Sequence, residues 1–293
     1  MGDTVFRGYD RAGLDAQYDN RAKVAAFDAH LARWTADGER ARATLAPRLD
    51  VSFGPGARET VNVFAARCDD PGGAPVLVWI HGGYWRSLAK ELNDFVALGL
   101  VPHGVAVVNV EYDLMPAARM QTLVHQVRAA VAWTLAHAAS FGADPDRVWI
   151  GGHSAGGHLT AAAAATDWDQ RTDLPTGRRP AGGFAVSGLH DLEPIRRCFL
   201  DESLALTAAE VAAWSPIAMP PPPDGDWTLL VGGLEGPEYL RQSADLAAAW
   251  GSDERRRVRL EVAAGEDHFS IVAPLADPNS ALSHRLAAAM RAR

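Results

Sequence analysis

The chain has 293 residues, of which 48% are hydrophobic and 22% charged, and its formal net charge is −8. This composition supports a sizeable folded core and excludes a disordered chain. The acidic balance and the absence of a lysine- and arginine-rich run argue against a nucleic-acid partner. Because the sequence has neither an apolar signal segment nor a run of about 18 apolar residues, we expect a cytoplasmic protein without a membrane partner.

Helical spacing comes first along the chain, around Val24–Leu45, and strands then alternate with helices. Gly-Pro-Gly at 54–56 separates the first two predicted strands, 48–53 and 60–66, which indicates a hairpin. Further strands are predicted at 76–80, 104–110, 147–152, 182–187, 227–233 and 258–264. Helices are predicted at 87–101, 118–141, 155–166, 237–250 and 280–292.

Continuous apolar strands separated by helices indicate a parallel sheet that is covered on both faces. We therefore predict a single α/β domain over residues 1–293, with an eight-stranded, mostly parallel sheet. Residues 1–47 form its helical N-terminal segment. Residues 188–220 are long for a simple connection, and we expect short helices there that cover a pocket.

Residues 152–156 read Gly-His-Ser-Ala-Gly, the G-x-S-x-G pattern of a nucleophile elbow. An elbow holds its serine in a strained strand-to-helix turn, where the residues two before and two after crowd each other and must be small. A strand is predicted just before Ser154 and a helix just after it, as the pattern requires. The pentapeptide alone would also fit a glycine-rich turn that opens a helix.

A serine nucleophile needs a base, and the base needs an acid, in the chain order serine, acid, histidine. The base should follow the last strand, which selects His268. The acid should follow the preceding strand, which selects Glu235, whereas Glu238 suits the start of a helix. Asp267 is adjacent to His268 and would point away from it. The other histidines after the serine are His158, His190 and His284.

Backbone N–H groups should stabilise the oxyanion that forms when the serine attacks a carbonyl. One comes from Ala155, directly after the serine, and the others come from the loop after the third strand. That loop reads His81-Gly82-Gly83-Tyr84-Trp85, and its glycines allow close approach of the backbone. We expect Gly83 and Tyr84 to donate and His81 to support the loop.

The HGGYW loop at 81–85 resembles the kynurenine formamidase (arylformamidase) family and its bacterial esterase-like relatives, a branch of the α/β-hydrolases. The GHSAGGHL stretch at 152–159 agrees with this branch. Further similar stretches lie at 6–21, 187–195, 214–217, 235–243 and 267–271, so the resemblance covers nearly the whole chain.

The resemblance implies the α/β-hydrolase fold and hydrolysis of an N-formyl arylamine, such as N-formylkynurenine, without a metal or cofactor. Ser154 matches the family's nucleophile and His268 its base, while Glu235 stands where the family usually has an aspartate. A carboxylesterase for small esters would use the same catalytic residues and stays an alternative. A non-catalytic binding protein is a third interpretation, against which the intact Ser154 and His268 count.

The substrate-binding residues are less determined by the sequence. Tyr84 and Trp85 adjoin the oxyanion loop and would contact an aromatic leaving group, or Trp85 packs in the core beneath the loop. Arg86 would meet a substrate carboxylate or lie solvated at the surface. A homodimer is possible because relatives of this fold often dimerise. We expect Cys68 and Cys198 to be ordinary thiols.

Overall fold

Eight segments of the sequence form the strands of one sheet in the computed structural model, which describes residues 3–67, 70–175 and 177–292. The strands are β1 (Arg48–Ser52), β2 (Thr60–Phe64), β3 (Ala74–Ile80), β4 (Ala106–Val110), β5 (Ala143–His153), β6 (Gly182–Val186), β7 (Gly225–Gly232) and β8 (Arg256–Ala263). Each predicted strand overlaps an observed one, and the largest difference in bounds is at β5, which starts earlier.

The strand order in the sheet is β1-β2-β4-β3-β5-β6-β7-β8. β1 pairs antiparallel with β2, as the predicted hairpin requires, and β2 pairs antiparallel with β4. All other neighbours are parallel. The predicted α/β class with an eight-stranded, mostly parallel sheet is therefore confirmed.

Helices cover both faces of this sheet. The helices are α1 (Arg11–Tyr18), α2 (Asn20–Lys23), α3 (Phe27–Leu45), α4 (Val96–Leu100), α5 (Met120–His137), α6 (Ala155–Ala164), α7 (Glu193–Arg196), α8 (Asp201–Leu204), α9 (Ala208–Trp214), α10 (Pro237–Trp250) and α11 (Ala281–Arg291). Buried side chains of α5, α6 and α10 belong to the core on one face, and those of α3, α4 and α11 belong to the core on the other. Strand β3 serves both cores because its side chains alternate, with Val78 on one face and Trp79 on the other.

The single helix predicted at 87–101 is wrong. A 3-10 turn at Lys90–Asn93 precedes α4, and a second 3-10 turn at Val101–His103 follows it. Between the first turn and α4, the buried carboxylate of Asp94 accepts hydrogen bonds from Asn109 at 2.7 Å and Arg42 at 2.8 Å. These contacts between distant positions hold the chain where it bends. The spacing of apolar residues in the sequence gives no sign of them.

The two segments expected to cover a pocket are both helical. Residues 1–47 carry α1, α2 and α3, and residues 188–220 carry α7, α8 and α9. Cys198 is buried with a free thiol, whereas Cys68 lies outside the described residues. Within the described ranges, no helix has the length and apolar character needed to cross a bilayer.

Strand β6 begins with two glycines that make room for tryptophan rings from the neighbouring strands. A Cβ on Gly182 would lie 2.6 Å from the ring of Trp149 and would overlap the carbonyl oxygen of Asp226. A Cβ on Gly183 would lie 2.6 Å from the ring of Trp227. Because successive residues of a strand face opposite sides, one ring is accommodated on each face of the sheet.

We expect Gly182→Ala to lower the free energy of unfolding by about 2 kcal/mol, because the added methyl group overlaps a backbone oxygen of the adjacent strand β7. Urea unfolding measures the change. Gly265→Ala is the matched control, since a Cβ there meets nothing within 4 Å, and its effect should stay within about 0.5 kcal/mol. Equal effects of the two substitutions would contradict this account of β6.

Candidate active site

Ser154 lies on a sharp turn between β5 and α6, with backbone angles of φ 59° and ψ −119°. Such a conformation is strained for a residue with a side chain. The flanking glycines allow the turn, since a Cβ on Gly152 would lie 2.5 Å from the carbonyl oxygen of Gly156, and a Cβ on Gly156 would overlap that of Ile80. The geometry is that of the nucleophile elbow, and the crowding expected from the sequence is present.

His268 and Glu235 form a buried hydrogen bond of 2.6 Å between Nδ1 and Oε2. The other carboxylate oxygen of Glu235 accepts from Ser187 Oγ at 2.5 Å and from the backbone N–H of Gly232 at 2.6 Å. The carboxylate therefore has a donor on each oxygen and a fixed orientation. When Nδ1 donates to it, the Nε2 atom of a neutral imidazole is left free to accept a proton.

The alternative carboxylates are engaged elsewhere. Glu238 accepts from the hydroxyl group of Tyr18 at 2.9 Å and pairs with Arg241 at 2.7 Å. Asp267 accepts from the backbone N–H groups of Phe269 and Ser270, both at 2.8 Å. Of the carboxylates considered from the sequence, Glu235 is the one that meets His268.

The loop after β3 carries three successive residues with positive φ: Gly83 at 101°, Tyr84 at 49° and Trp85 at 57°. Within the described residues, the backbone N–H groups of Gly83 and Tyr84 have no hydrogen-bond acceptor. A Cβ on Gly82 would lie 3.2 Å from the Cβ of Ser154, so the loop touches the elbow. The N–H of Ala155, in the first turn of α6, has no partner within its helix. Gly83, Tyr84 and Ser154 line the same cavity, and Ala155 directly follows the serine, so the residues predicted as oxyanion donors lie in one region.

His81 supports this loop from below. Its Nδ1 lies 2.8 Å from the carbonyl oxygen of Gly82, and its Nε2 lies 3.1 Å from Oε1 of Glu111. Its ring stacks on Tyr112 with a centroid separation of 4.3 Å, and the Tyr112 hydroxyl group donates to the His81 carbonyl oxygen at 2.8 Å. Both ring nitrogens are engaged, which fits a supporting residue and not a second base.

Trp85 is fully buried and does not line the cavity beside Ser154. Its indole N–H donates to Nδ1 of His158 at 3.2 Å. The tentative assignment of Trp85 to substrate binding is therefore corrected: its backbone turns through the loop with positive φ, which directs the side chain into the core. The alternative interpretation, a core residue beneath the loop, describes its position.

Tyr84 does line the cavity, but its hydroxyl group is already engaged. It donates to the carbonyl oxygen of Tyr18 at 2.6 Å, accepts from the side-chain amide of Asn20 at 2.9 Å and lies 3.0 Å from the hydroxyl oxygen of Tyr239. The Asn20 amide also donates to Tyr239 at 2.7 Å. This network ties the N-terminal segment to the loop after β3 and to α10, and it occupies the hydroxyl group of Tyr84.

The cavity has a volume of about 300 Å³ and contains Ser154 and His268 in its wall. The N-terminal segment and the loop after β3 together contribute most of the remaining wall, whereas Phe199 is the one lining residue from the described part of 188–220. The lining residues of the N-terminal segment are Tyr18, Asp19, Asn20, Arg21, Phe27, Leu31 and Trp34.

Several of these residues were missed by the sequence analysis. Phe27, Leu31 and Trp34 recur at helical spacing on α3, a pattern that predicts a face packed against the core. Here that face lines the cavity. Asn93 and His153 also line it, and no motif marks Asn93. For His153 the available signal was its position beside the serine.

Comparisons with known proteins place the chain among hydrolases. A family profile described as BD-FAE matches residues 65–184. Kynurenine formamidase from Salmo salar is 34% identical over 85% of this chain and 83% of its own length. The Danio rerio protein of the same name is 32% identical over 88% of this chain and 87% of its own length.

Solved structures agree on the fold. A candidate thioesterase from Silicibacter sp. TM1040 superposes with a TM-score of 0.77 at 31% identity and covers 92% of this chain and 97% of its own. Esterase B from Lactobacillus rhamnosis (HN001) superposes with a TM-score of 0.65 over 92% of each chain. At 19% identity, the second match supports the fold alone.

Two buried histidines behind the site are held neutral. Burial lowers the pKa of His158 to about 4 and that of His190 to about 3. Nε2 of His158 donates to the carbonyl oxygen of Trp214 at 2.8 Å, while Nδ1 accepts from Trp85. This arrangement requires the neutral ring, and it connects the oxyanion loop to α6 and α9.

We expect acid to unfold the protein partly by protonating His158 in the unfolded chain. Its folded pKa, about 4, lies below the unfolded value of 6.5, so its contribution to stability is complete above pH 6.5 and is lost as the pH falls towards 4. In that window, the contribution of His158 to the slope of the unfolding free energy against pH should approach about 1.4 kcal/mol per pH unit. His158→Gln keeps a neutral donor and acceptor and should show a smaller slope in urea unfolding at pH 7, 6 and 5. An unchanged slope would contradict the assignment.

Proposed function

Because this chain belongs to the kynurenine formamidase family of α/β-hydrolases, we propose that it hydrolyses an N-formyl arylamine, such as N-formylkynurenine, to formate and the free amine. The observation that carries the proposal is the 2.6 Å hydrogen bond between His268 and Glu235, whose histidine shares a cavity wall with the strained Ser154. A base that is oriented by an acid, and a serine beside that base, are what acyl transfer by a serine nucleophile requires.

In the first half-reaction, His268 Nε2 takes the proton of Ser154 Oγ as that oxygen attacks the formyl carbon. Negative charge develops on the formyl oxygen, where the N–H groups of Gly83, Tyr84 and Ala155 stabilise it. Because the loop N–H groups have no acceptor in the described protein, they need no rearrangement to serve a substrate.

His268 then gives its proton to the departing nitrogen as the carbon–nitrogen bond breaks, which leaves a formyl ester on Ser154. Water attacks this ester with His268 again as base, and formate is released. Glu235 stabilises the imidazolium form through Oε2 in both halves, while its Oε1 stays bonded to Ser187 and Gly232. The steps use this chain's own groups and water.

The walls of the cavity suit an aryl leaving group. The rings of Phe27 and Phe269 lie 5.0 Å apart, centroid to centroid, and both line the cavity with Phe199. Arg21 and Arg86 also line it, so a carboxylate on the substrate would meet cationic side chains. Arg86 bonds the hydroxyl group of Ser203, and its other guanidinium N–H groups have no partner among the described residues. We also propose the cytoplasmic location expected from the sequence.

A carboxylesterase is the second candidate function. Esterase LipQ from Mycobacterium tuberculosis is 35% identical over 39% of this chain. Glu235 also stands where formamidases usually have an aspartate, and this longer acid is compatible with a changed substrate. The leaving group of an ester is an alcohol, which needs less protonation to depart than an amine does. The same groups would therefore cleave an ester.

We expect the purified protein to have a much larger kcat/KM for N-formylkynurenine than for p-nitrophenyl acetate. Ser154→Ala should lower both by at least about 10⁴-fold, because the nucleophile is removed. Ser140→Ala, at an exposed serine, should change neither. Efficient ester cleavage with negligible formamide turnover would overturn the formamidase proposal in favour of a carboxylesterase.

Glu235→Gln should lower kcat by about 10³-fold to 10⁴-fold with little change in KM. A glutamine has one acceptor atom for the three donors that now surround the carboxylate. Ser187→Ala is the matched variant: it removes one donor to Oε1 but leaves the charge and the His268 bond, and it should cost about tenfold or less. Equal losses in the two variants would show that Glu235 acts only in packing.

A further inference from the structure

The ring of His81 is enclosed beneath the loop after β3, and each of its two nitrogens lies against an oxygen atom. Its side chain has no exposed surface. Nδ1 lies 2.8 Å from the carbonyl oxygen of Gly82, and Nε2 lies 3.1 Å from Oε1 of Glu111. A carbonyl oxygen can only accept a hydrogen bond, so Nδ1 must carry a proton. The state of Nε2 depends on whether Glu111 is ionised.

The carboxylate of Glu111 is surrounded by donors. Oε1 accepts from the guanidinium of Arg58 at 2.6 Å and from the backbone N–H of Tyr112 at 3.0 Å, and Oε2 accepts from the backbone N–H of Lys90 at 3.2 Å. Burial raises the pKa of this carboxyl group, but the hydrogen bonds and charges of His81 and Arg58 outweigh burial and hold the pKa below its ordinary value. Glu111 is therefore ionised. An ionised carboxylate can only accept, so Nε2 of His81 must carry a proton as well.

With protons on both ring nitrogens, His81 is an imidazolium. A neutral ring would instead direct a lone pair at one of the two oxygen atoms. The buried positive charge is compensated by the carboxylate of Glu111 and by the face of the Tyr112 ring, which lies 4.3 Å away and nearly parallel. Arg58 competes less for that carboxylate, because its side chain is 36% exposed and therefore partly solvated.

The oxygen atom that meets Nδ1 belongs to a peptide group with a second role. The carbonyl group of Gly82 and the N–H of Gly83 are the two ends of one planar peptide. A hydrogen bond from a cation to the carbonyl end withdraws electron density through the amide and makes the N–H end a stronger donor. That N–H has no acceptor within the described residues, and the mechanism proposed for Ser154 uses it to hold the oxyanion.

We propose that His81 is a permanent imidazolium that acts on the reaction through this peptide, by strengthening the hydrogen bond from Gly83 to the oxyanion. His81 does not line the cavity, so it is a positioning residue that touches no substrate atom and transfers no proton. The inference rests on the oxyanion function proposed for Gly83. It holds for a formamide and for an ester alike, because both form an oxyanion at the same place.

The first measurement is the protonation state of His81, by nuclear magnetic resonance of protein labelled with nitrogen-15 in its histidine rings. Nitrogen shifts differ greatly between protonated and bare ring nitrogens, and His81→Gln identifies the signals of this ring by their loss. We expect two protonated nitrogens at neutral pH, both of which disappear from the spectrum in the variant. One protonated and one bare nitrogen would show a neutral ring and would overturn the proposal.

The second measurement separates the charge of His81 from mechanical support of the loop. His81→Gln keeps a neutral donor for the carbonyl oxygen of Gly82 but removes the charge. We expect it to lower kcat about 30-fold, less than the loss of a whole oxyanion donor, with KM changed by less than about twofold. Tyr112→Phe is the matched variant, since it keeps the stacked ring and the charge and removes a neutral donor from the carbonyl oxygen of His81. It should lower kcat about threefold or less.

Equal losses in the two variants, or a loss in His81→Gln that lies in KM, would contradict the proposal and leave His81 as a support of the loop alone. Failure of the formamidase proposal would look different, because the wild-type protein would cleave p-nitrophenyl acetate and not N-formylkynurenine. The two variants are then compared on the ester, whose tetrahedral intermediate carries the same oxyanion.

Discussion

The site depends on the close contact between the start of α6 and the end of β3. A side chain at Gly156 would overlap the carbonyl oxygen of Ile80, so the helix can begin there only because that side chain is absent. The contact forces the strained backbone of Ser154 and brings the loop after β3 against the elbow. One packing constraint thus positions both Ser154 and the loop that we propose holds the oxyanion. The contacts of His81 and Trp85 keep this loop in place.

A second constraint is the carboxylate of Glu235, which is surrounded by donors. A glutamate has one methylene group more than the aspartate expected at this position, and the structure accommodates it by bonding Oε1 to Ser187 and to the backbone of Gly232. The free oxygen then meets His268. The longer side chain therefore still places a carboxylate oxygen on Nδ1 of His268. The Nε2 atom of the histidine stays free of this bond.

Sequence reasoning identified the strands and the groups around the serine because both leave local patterns. The elbow glycines, the HGG loop and the residues after β7 and β8 are each tied to a strand end, and strand ends of a parallel sheet converge. The features that the sequence did not predict leave no such local pattern. The bend at Asp94 depends on Asn109 and Arg42, and the cavity face of α3 has the spacing of an ordinary core face. The position of the Trp85 side chain could not be predicted, because it follows from positive φ angles that the residue types in the loop do not indicate.

The hydrogen-bond network around Tyr84 has a consequence for the order of events during folding. Asn20 bonds to Tyr239 across 219 positions of the chain, and Tyr18 bonds to Glu238 across 220. Contacts between such distant positions close large loops and are expected to form late. During synthesis, residues 18–34 emerge early and can meet Tyr84 and Phe95 first, whereas their partners on α10 are made much later. The wall beside Ser154 is therefore complete only after α10 has been made, and in a nascent chain that lacks α10 this serine would lie in a more open cleft.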